Sequence, residues 1–129
     1  AIQKTKNNTG LILNLALSYG SRKEILSAVK LLSEKIVSGE IDSDQINESL
    51  FSQMLYTKDI SDPDLLIRTG GEFRISNFLL WQIAYTEIHV TQTYWPAFGK
   101  KELTEAIFDY QSRERRFGKI SEQLKVNNG

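Results

Sequence analysis

The residues best equipped for chemistry lie in IRTGGEFRISNFLLWQ, positions 67–82. Arg68 and Arg74 bracket a glycine pair and Glu72, and Ser76 stands where an apolar run begins. Guanidinium forks, a hydroxyl and a flexible turn make a donor set suited to a phosphate or diphosphate. Glycine tolerates positive φ and close backbone approach, and a helix starting at Ser76 or Asn77 would add free N–H groups and the positive end of its dipole. A purely structural reading stands beside this one. Arg68 could pair with Asp62 or Asp64, Gly70 and Gly71 could only turn the chain, and Ser76 could only cap a helix; spacing alone leaves both readings open.

Glu87 is a second candidate, a carboxylate on a strand beyond the apolar run. Magnesium takes oxygen ligands and often uses one or two protein carboxylates, completing its shell with water and substrate phosphates. A solvated glutamate on an edge strand is the alternative. His89 shares the strand face of Glu87 and reads as packing or surface. RERRFGK, with Arg113, Arg115, Arg116 and Lys119, reads either as a solvated basic helix end that meets the C-terminal dipole or as a ligand contact.

Periodicity predicts the elements that position these residues. LILNLALSY (11–19) is nearly all apolar over strand length, which predicts a strand buried on both faces, as in parallel sheets. Ser21 and Glu24 have capping-box spacing, and Ile25, Ala28, Val29, Leu32, Ile36 and Val37 recur at helical intervals until Gly39. IDSDQINESLFSQML predicts a more exposed helix from Asp42–Asp44, and Pro63 closes the connection after it. DLLIRT (64–69) and TEIHVT (86–91) predict a second and a third strand, with a helix through FLLWQIAY between them. After the turn at Trp95 and Pro96, KKELTEAIFDYQSRERRFG predicts a last helix with Leu103, Ile107, Tyr110 and Phe117 on one face. This alternation is that of an α/β layered fold.

The chain of 129 residues is one domain's worth, with 40% hydrophobic and 25% charged residues as in an ordinary globular protein. Sixteen basic residues balance sixteen acidic ones, which does not favour a nucleic-acid partner. The absence of cysteine excludes disulfides and thiolate zinc sites, and the single histidine excludes a multi-histidine metal site. No apolar run approaches the roughly 20 residues of a membrane span. The first residues, AIQKTKNN, read as the tail of a helix, so the chain is expected to be a piece of a longer protein; residues 121–129 read as a flexible tail.

TGGEFRISNFLLWQIAY, followed by WPAF and RERRFG, resembles the C-terminal half of bacterial undecaprenyl diphosphate synthases, which are cis-prenyltransferases, and NTGLILNLALSYGSR is similar to that family's strand and Asn-Tyr-Gly-Gly-Arg turn. The resemblance covers nearly the whole chain. It implies a mostly parallel sheet flanked by helices, here incomplete, and an enzyme that condenses isopentenyl diphosphate onto farnesyl diphosphate with cis geometry. The product would be undecaprenyl diphosphate, the lipid-carrier precursor for cell-wall synthesis, made in the bacterial cytoplasm with peripheral contact to the inner membrane. By the same resemblance Arg68, Arg74 and Ser76 hold the diphosphate of isopentenyl diphosphate, and Glu87 matches a carboxylate associated with magnesium. Arg116, Phe117 and Gly118 match an Arg-X-Gly element that reaches the partner's active site in a homodimer.

The chain departs from the family pattern at Ser18, Ser21, Phe73 and Gln92, where asparagine, glycine, histidine and an acidic residue are more usual. The family's Asp-Gly-Asn-Gly-Arg-Trp segment does not occur in these residues, so the chain alone is expected to be inactive. Two further readings are a non-catalytic accessory subunit of a heteromeric cis-prenyltransferase, against which the arginine pair argues, and a phosphate- or RNA-binding module using RERRFGK, against which the zero net charge argues.

Overall fold

Glu24, Ala28 and Leu32 recur at every fourth residue of the longest helix, and all three are buried. That stripe belongs to α2 (Ser21–Val37), in a computed structural model that describes residues 2–113. Arg116, Phe117, Gly118 and the 121–129 tail lie outside the described residues. The described chain runs through α1 (Ile2–Thr5), α2, a 3₁₀ turn (Ser43–Gln45), α3 (Glu48–Ser52), β1 (Leu65–Arg68), β2 (Glu87–Val90), a second 3₁₀ turn (Trp95–Ala97) and α4 (Lys100–Ser112). The short α1 matches the expected helix tail.

β1 and β2 pair in parallel, with Leu65 opposite Glu87, Leu66 opposite Ile88, Ile67 opposite His89 and Arg68 opposite Val90. Parallel neighbours need a long crossover, and residues 69–86 provide it. α4 packs on β2, and its Ala106 is fully buried. Leu103 and Ile107, expected on its packed face, are half-exposed. Buried Leu55 and Ile83 join Ala28, Leu32 and Ala106 in a small core.

Three expected elements differ. Residues 11–19 do not form a buried strand: Leu11 is 93% and Leu17 82% exposed, and no described strand pairs with them. Burial on both faces is a property of a strand's neighbours, and β1 and β2 use each other. The helix expected from Asp42 divides in two, because Asn47 has extended backbone and its Oδ1 accepts from the Leu50 N–H at 2.9 Å, capping a new helix.

The helix expected through FLLWQIAY is absent, and turns replace it. Ser76, Asn77 and Leu79 have φ of 54°, 62° and 46°, left-handed values that no α-helix contains. The backbone there serves α2 instead. The Asn77 carbonyl accepts from the Ser21 N–H at 2.8 Å, its side-chain Oδ1 accepts from the Arg22 N–H at 2.9 Å, and the Leu80 N–H donates to Ser21 Oγ at 2.9 Å. Ser21 is therefore the first residue of α2, with Gly20 at its N-cap, and it is not the expected capping-box serine.

Candidate functional site

The register of the parallel pair puts Leu66, Arg68, Ile88 and Val90 on one sheet face. Those residues, with Glu72, Phe73, Arg74 and Ile75 from the crossover, line a cavity of about 250 Å³. The space is below the roughly 300–1,000 Å³ of drug-sized sites, which suits a small head group. Arg68 Nε is buried without a hydrogen-bond partner among the described residues. A buried donor left unpaired carries its full desolvation cost, and an anion in the cavity would relieve it. Arg74 is 68% exposed and pairs with Glu72, an interaction weak enough at the surface for a ligand to replace.

The structure thus brings Arg68 and Arg74 to one cavity. Ser76 is exposed and does not line it, and with no helix starting there the expected dipole end is missing too. The glycine pair also plays a different part from the one expected. The Gly70 N–H donates to the Thr93 carbonyl at 3.0 Å and the Gly71 N–H to the Thr91 carbonyl at 2.8 Å, so neither is free for an anion. Both glycines have positive φ, 77° and 69°, and a Cβ on Gly71 would collide with Gln92 Oε1. These glycines carry β1 past the end of β2; the side-chain donors lining the cavity are the two guanidinium groups.

Glu87 lies elsewhere. It starts β2 opposite Leu65, about 10 Å along the strand from the level of Arg68, and with His89 it is on the sheet face that α4 covers. Arg113, at the end of α4, donates from Nη1 to Glu87 Oε2 at 3.0 Å and to the Ile88 carbonyl at 2.9 Å. Its Nη2 and Nε reach Asp109 Oδ2 and Oδ1 at 2.6 and 3.2 Å, and His89 Nδ1 lies 2.6 Å from Asp109 Oδ2. The Arg113 and then the His89 hydrogen bonds hold the Asp109 carboxyl below its usual range. Asp109 and then Glu87 raise Arg113.

No cluster of three or more histidine, cysteine or acidic side chains able to hold a metal occurs among the described residues. Glu87 offers one carboxylate, ion-paired with Arg113, so the described residues alone do not build a magnesium site. Further ligands would have to come from water or from groups outside the described residues.

A prenyltransferase family model described as undecaprenyl diphosphate synthase matches residues 1–118. The chain belongs to this family. An isoprenyl transferase from Heliobacterium mobile is 60% identical over 120 residues, which cover 93% of the chain and 46% of the relative. One from Geobacter sulfurreducens is 52% identical over 126 residues, covering 98% and 51%. Lavandulyl diphosphate synthase from Lavandula x intermedia, solved with dimethylallyl diphosphate, superposes with a TM-score of 0.86 at 40% identity, covering 89% of the chain and 50% of that structure. A structure from Campylobacter jejuni, described as a probable undecaprenyl diphosphate synthase, superposes at 0.74 with 39% identity, covering 91% and 52%. The chain spans about half the length of the curated relatives it matches. The expected fold class, a cis-prenyltransferase α/β fold present in part, is borne out.

Spacing assigned Glu24 to a capping box, and the structure gives it a different part. Glu24 is fully buried, and its carboxylate accepts from the Tyr19 hydroxyl, from the Tyr56 N–H at 2.8 Å and from Gln82 Nε2 at 3.3 Å. It joins the start of α2 to the segment after α3 and to the crossover that carries Arg74. Tyr19, Tyr56 and Gln82 also line an apolar cavity of about 410 Å³ beside residues 14–18. The four-residue interval from Glu24 to Ala28 and Leu32 was the available signal.

Proposed function

We propose that the full-length protein condenses isopentenyl diphosphate onto farnesyl diphosphate with cis geometry to make undecaprenyl diphosphate, and that this chain supplies the half that holds isopentenyl diphosphate. The observation that carries this reading is the convergence of Arg68 and Arg74 on one cavity, with the Arg68 Nε buried and unpaired among the described residues. Two fixed positive charges would hold the diphosphate and leave the isopentenyl double bond to be aligned with the allylic carbon. Position and electrostatics then carry the reaction. Ser76 would join the clamp only if its turn reorganised when ligand bound.

Magnesium is proposed as the cofactor with Glu87 as one ligand; because Glu87 is on the sheet face opposite Arg68, the ion would lie outside the arginine cavity. Arg116, Phe117 and Gly118 are proposed to complete the partner's site in a homodimer. The arginine pair favours a catalytic chain over an accessory subunit. The enzyme is proposed to work in the cytoplasm at the inner-membrane surface, and the chain alone is proposed to be inactive; no described helix is long and apolar enough to cross a membrane.

The test is calorimetric titration of isopentenyl diphosphate into the full-length protein and its Arg68→Ala and Arg74→Ala variants. Each variant should lose about 1.5–3 kcal/mol of binding free energy, the scale of a hydrogen bond to a charged group. Unchanged affinity in both would show that the arginines serve the fold only.

A further inference from the structure

Arg68 and Arg74 line one cavity but stand in it differently. Arg68 is the inner group, half-buried, with its Nε unpaired among the described residues. Arg74 is the outer group, largely exposed, and its Nη1 donates to Glu72 Oε2. Glu72 lines the same cavity, and its carboxylate offers a guanidinium the same kind of charged acceptor oxygens that a phosphoryl group does. The backbone carrying this pair is held on both sides. Before it, the Gly70 and Gly71 N–H groups donate to the Thr93 and Thr91 carbonyls at 3.0 and 2.8 Å. After it, the Asn77 carbonyl and Oδ1 accept from the Ser21 and Arg22 N–H groups at 2.8 and 2.9 Å. With the backbone held, an anion entering the cavity rearranges side chains, and Glu72 is the one whose charge opposes it.

We propose that Glu72 is a gate on this cavity: its carboxylate occupies Arg74 while the cavity is empty and yields that guanidinium to the entering diphosphate. The proposal rests on the reading of the cavity as the isopentenyl diphosphate site given above. With Glu72 on Arg74, the two guanidinium groups and one carboxylate leave one net positive charge; with the carboxylate turned away, the ligand meets two. The resting pair therefore relieves the repulsion between two like charges at one cavity and lowers its attraction for anions that do not reach Arg74. Its cost to the proper ligand is small, because an exposed ion pair is weak. Affinity for the diphosphate is then set in part at Glu72, a residue that makes no bond to the ligand.

Calorimetric titration of isopentenyl diphosphate into the full-length protein and a cycle of variants tests this. Glu72→Gln should bind about three- to fivefold more tightly than the wild type, the worth of an exposed ion pair that no longer has to be broken. On an Arg74→Ala background the same substitution should gain nothing, because the guanidinium that Glu72 holds is gone. If the gain persists on that background, Glu72 acts by repulsion alone and the gate is overturned. If Glu72→Gln binds no more tightly while Arg74→Ala binds less tightly, the gate is overturned and the reading of the cavity survives. If neither Arg68→Ala nor Arg74→Ala changes affinity, that reading falls and this proposal with it. A second measurement needs no variant: the Glu72 carboxyl-carbon NMR resonance of the wild type should shift on saturation with isopentenyl diphosphate, and a resonance that stays in place overturns the proposal.

Discussion

Glu24 accepts from a hydroxyl, a backbone N–H and a side-chain amide contributed by three separate stretches of chain, so replacing one of its oxygens by an NH₂ turns at least one donor against another. Glu24→Gln should cost about 1–3 kcal/mol, the penalty for a buried polar group left unpaired, measured by urea denaturation of the full-length protein. A loss below about 0.5 kcal/mol would mean that these donors find other partners. Gly71 makes a separable case. Gly71→Ala should be destabilising by about 1–2 kcal/mol from the left-handed backbone alone, plus the cost of moving Gln92, whose amide fills the space a Cβ needs. Adding Gln92→Ala should restore only the second part, and complete restoration would show that φ 69° is not enforced.

At the scale of the element, α4 depends on its first turn. Glu102 accepts from its own N–H and from the Gly99 N–H, the latter at 2.9 Å, and these bonds lower its pKa. A carboxyl depressed by folding contributes stability that is fully present above its ordinary value of about 4.5 and disappears as pH falls through the lower folded value. Hydrogen exchange at Ala106–Asp109, corrected for intrinsic rates, should accordingly show α4 loosening on acidification below that value. Glu102→Gln should remove the Glu102 share of this pH dependence and leave that of Asp109, whose carboxyl is also held low; an identical acid response in the variant would place its cause elsewhere. α2, α4, β1 and β2 were legible in the sequence because their apolar residues recur at the period of the element they form. The crossover was not. FLLWQIAY has helical composition, but its backbone is bonded to the start of α2, a tertiary demand that outweighs local preference. For the candidate site, the spacing of Arg68 and Arg74 was enough to mark the arginine pair. The commitment of Glu87 to Arg113 joins residues 26 apart in sequence and depends on α4 docking against β2, which periodicity does not reveal.

For the whole molecule, the informative feature is the apolar ledge at residues 11–17. Leu11, Ile12, Leu13, Leu15 and Leu17 are all largely exposed, a density of solvent-facing leucine that soluble surfaces rarely carry. The chain spans about half the length of its relatives, and the composition of this stretch is that of a strand buried on both faces. The full-length protein is therefore expected to cover the ledge with a neighbouring strand. Leu15→Asp separates the alternatives, because at an exposed position such a change stays within about 0.5 kcal/mol, whereas burying an unpaired carboxylate and losing a leucine contact costs well over about 2 kcal/mol. Urea denaturation of the full-length variant should give the larger value. In the 129-residue chain by itself the same substitution should instead reduce self-association, since an uncovered apolar edge invites pairing between copies, and sedimentation velocity over a range of concentrations would show it. A full-length variant as stable as the wild type would mean that the ledge faces solvent in the complete protein too.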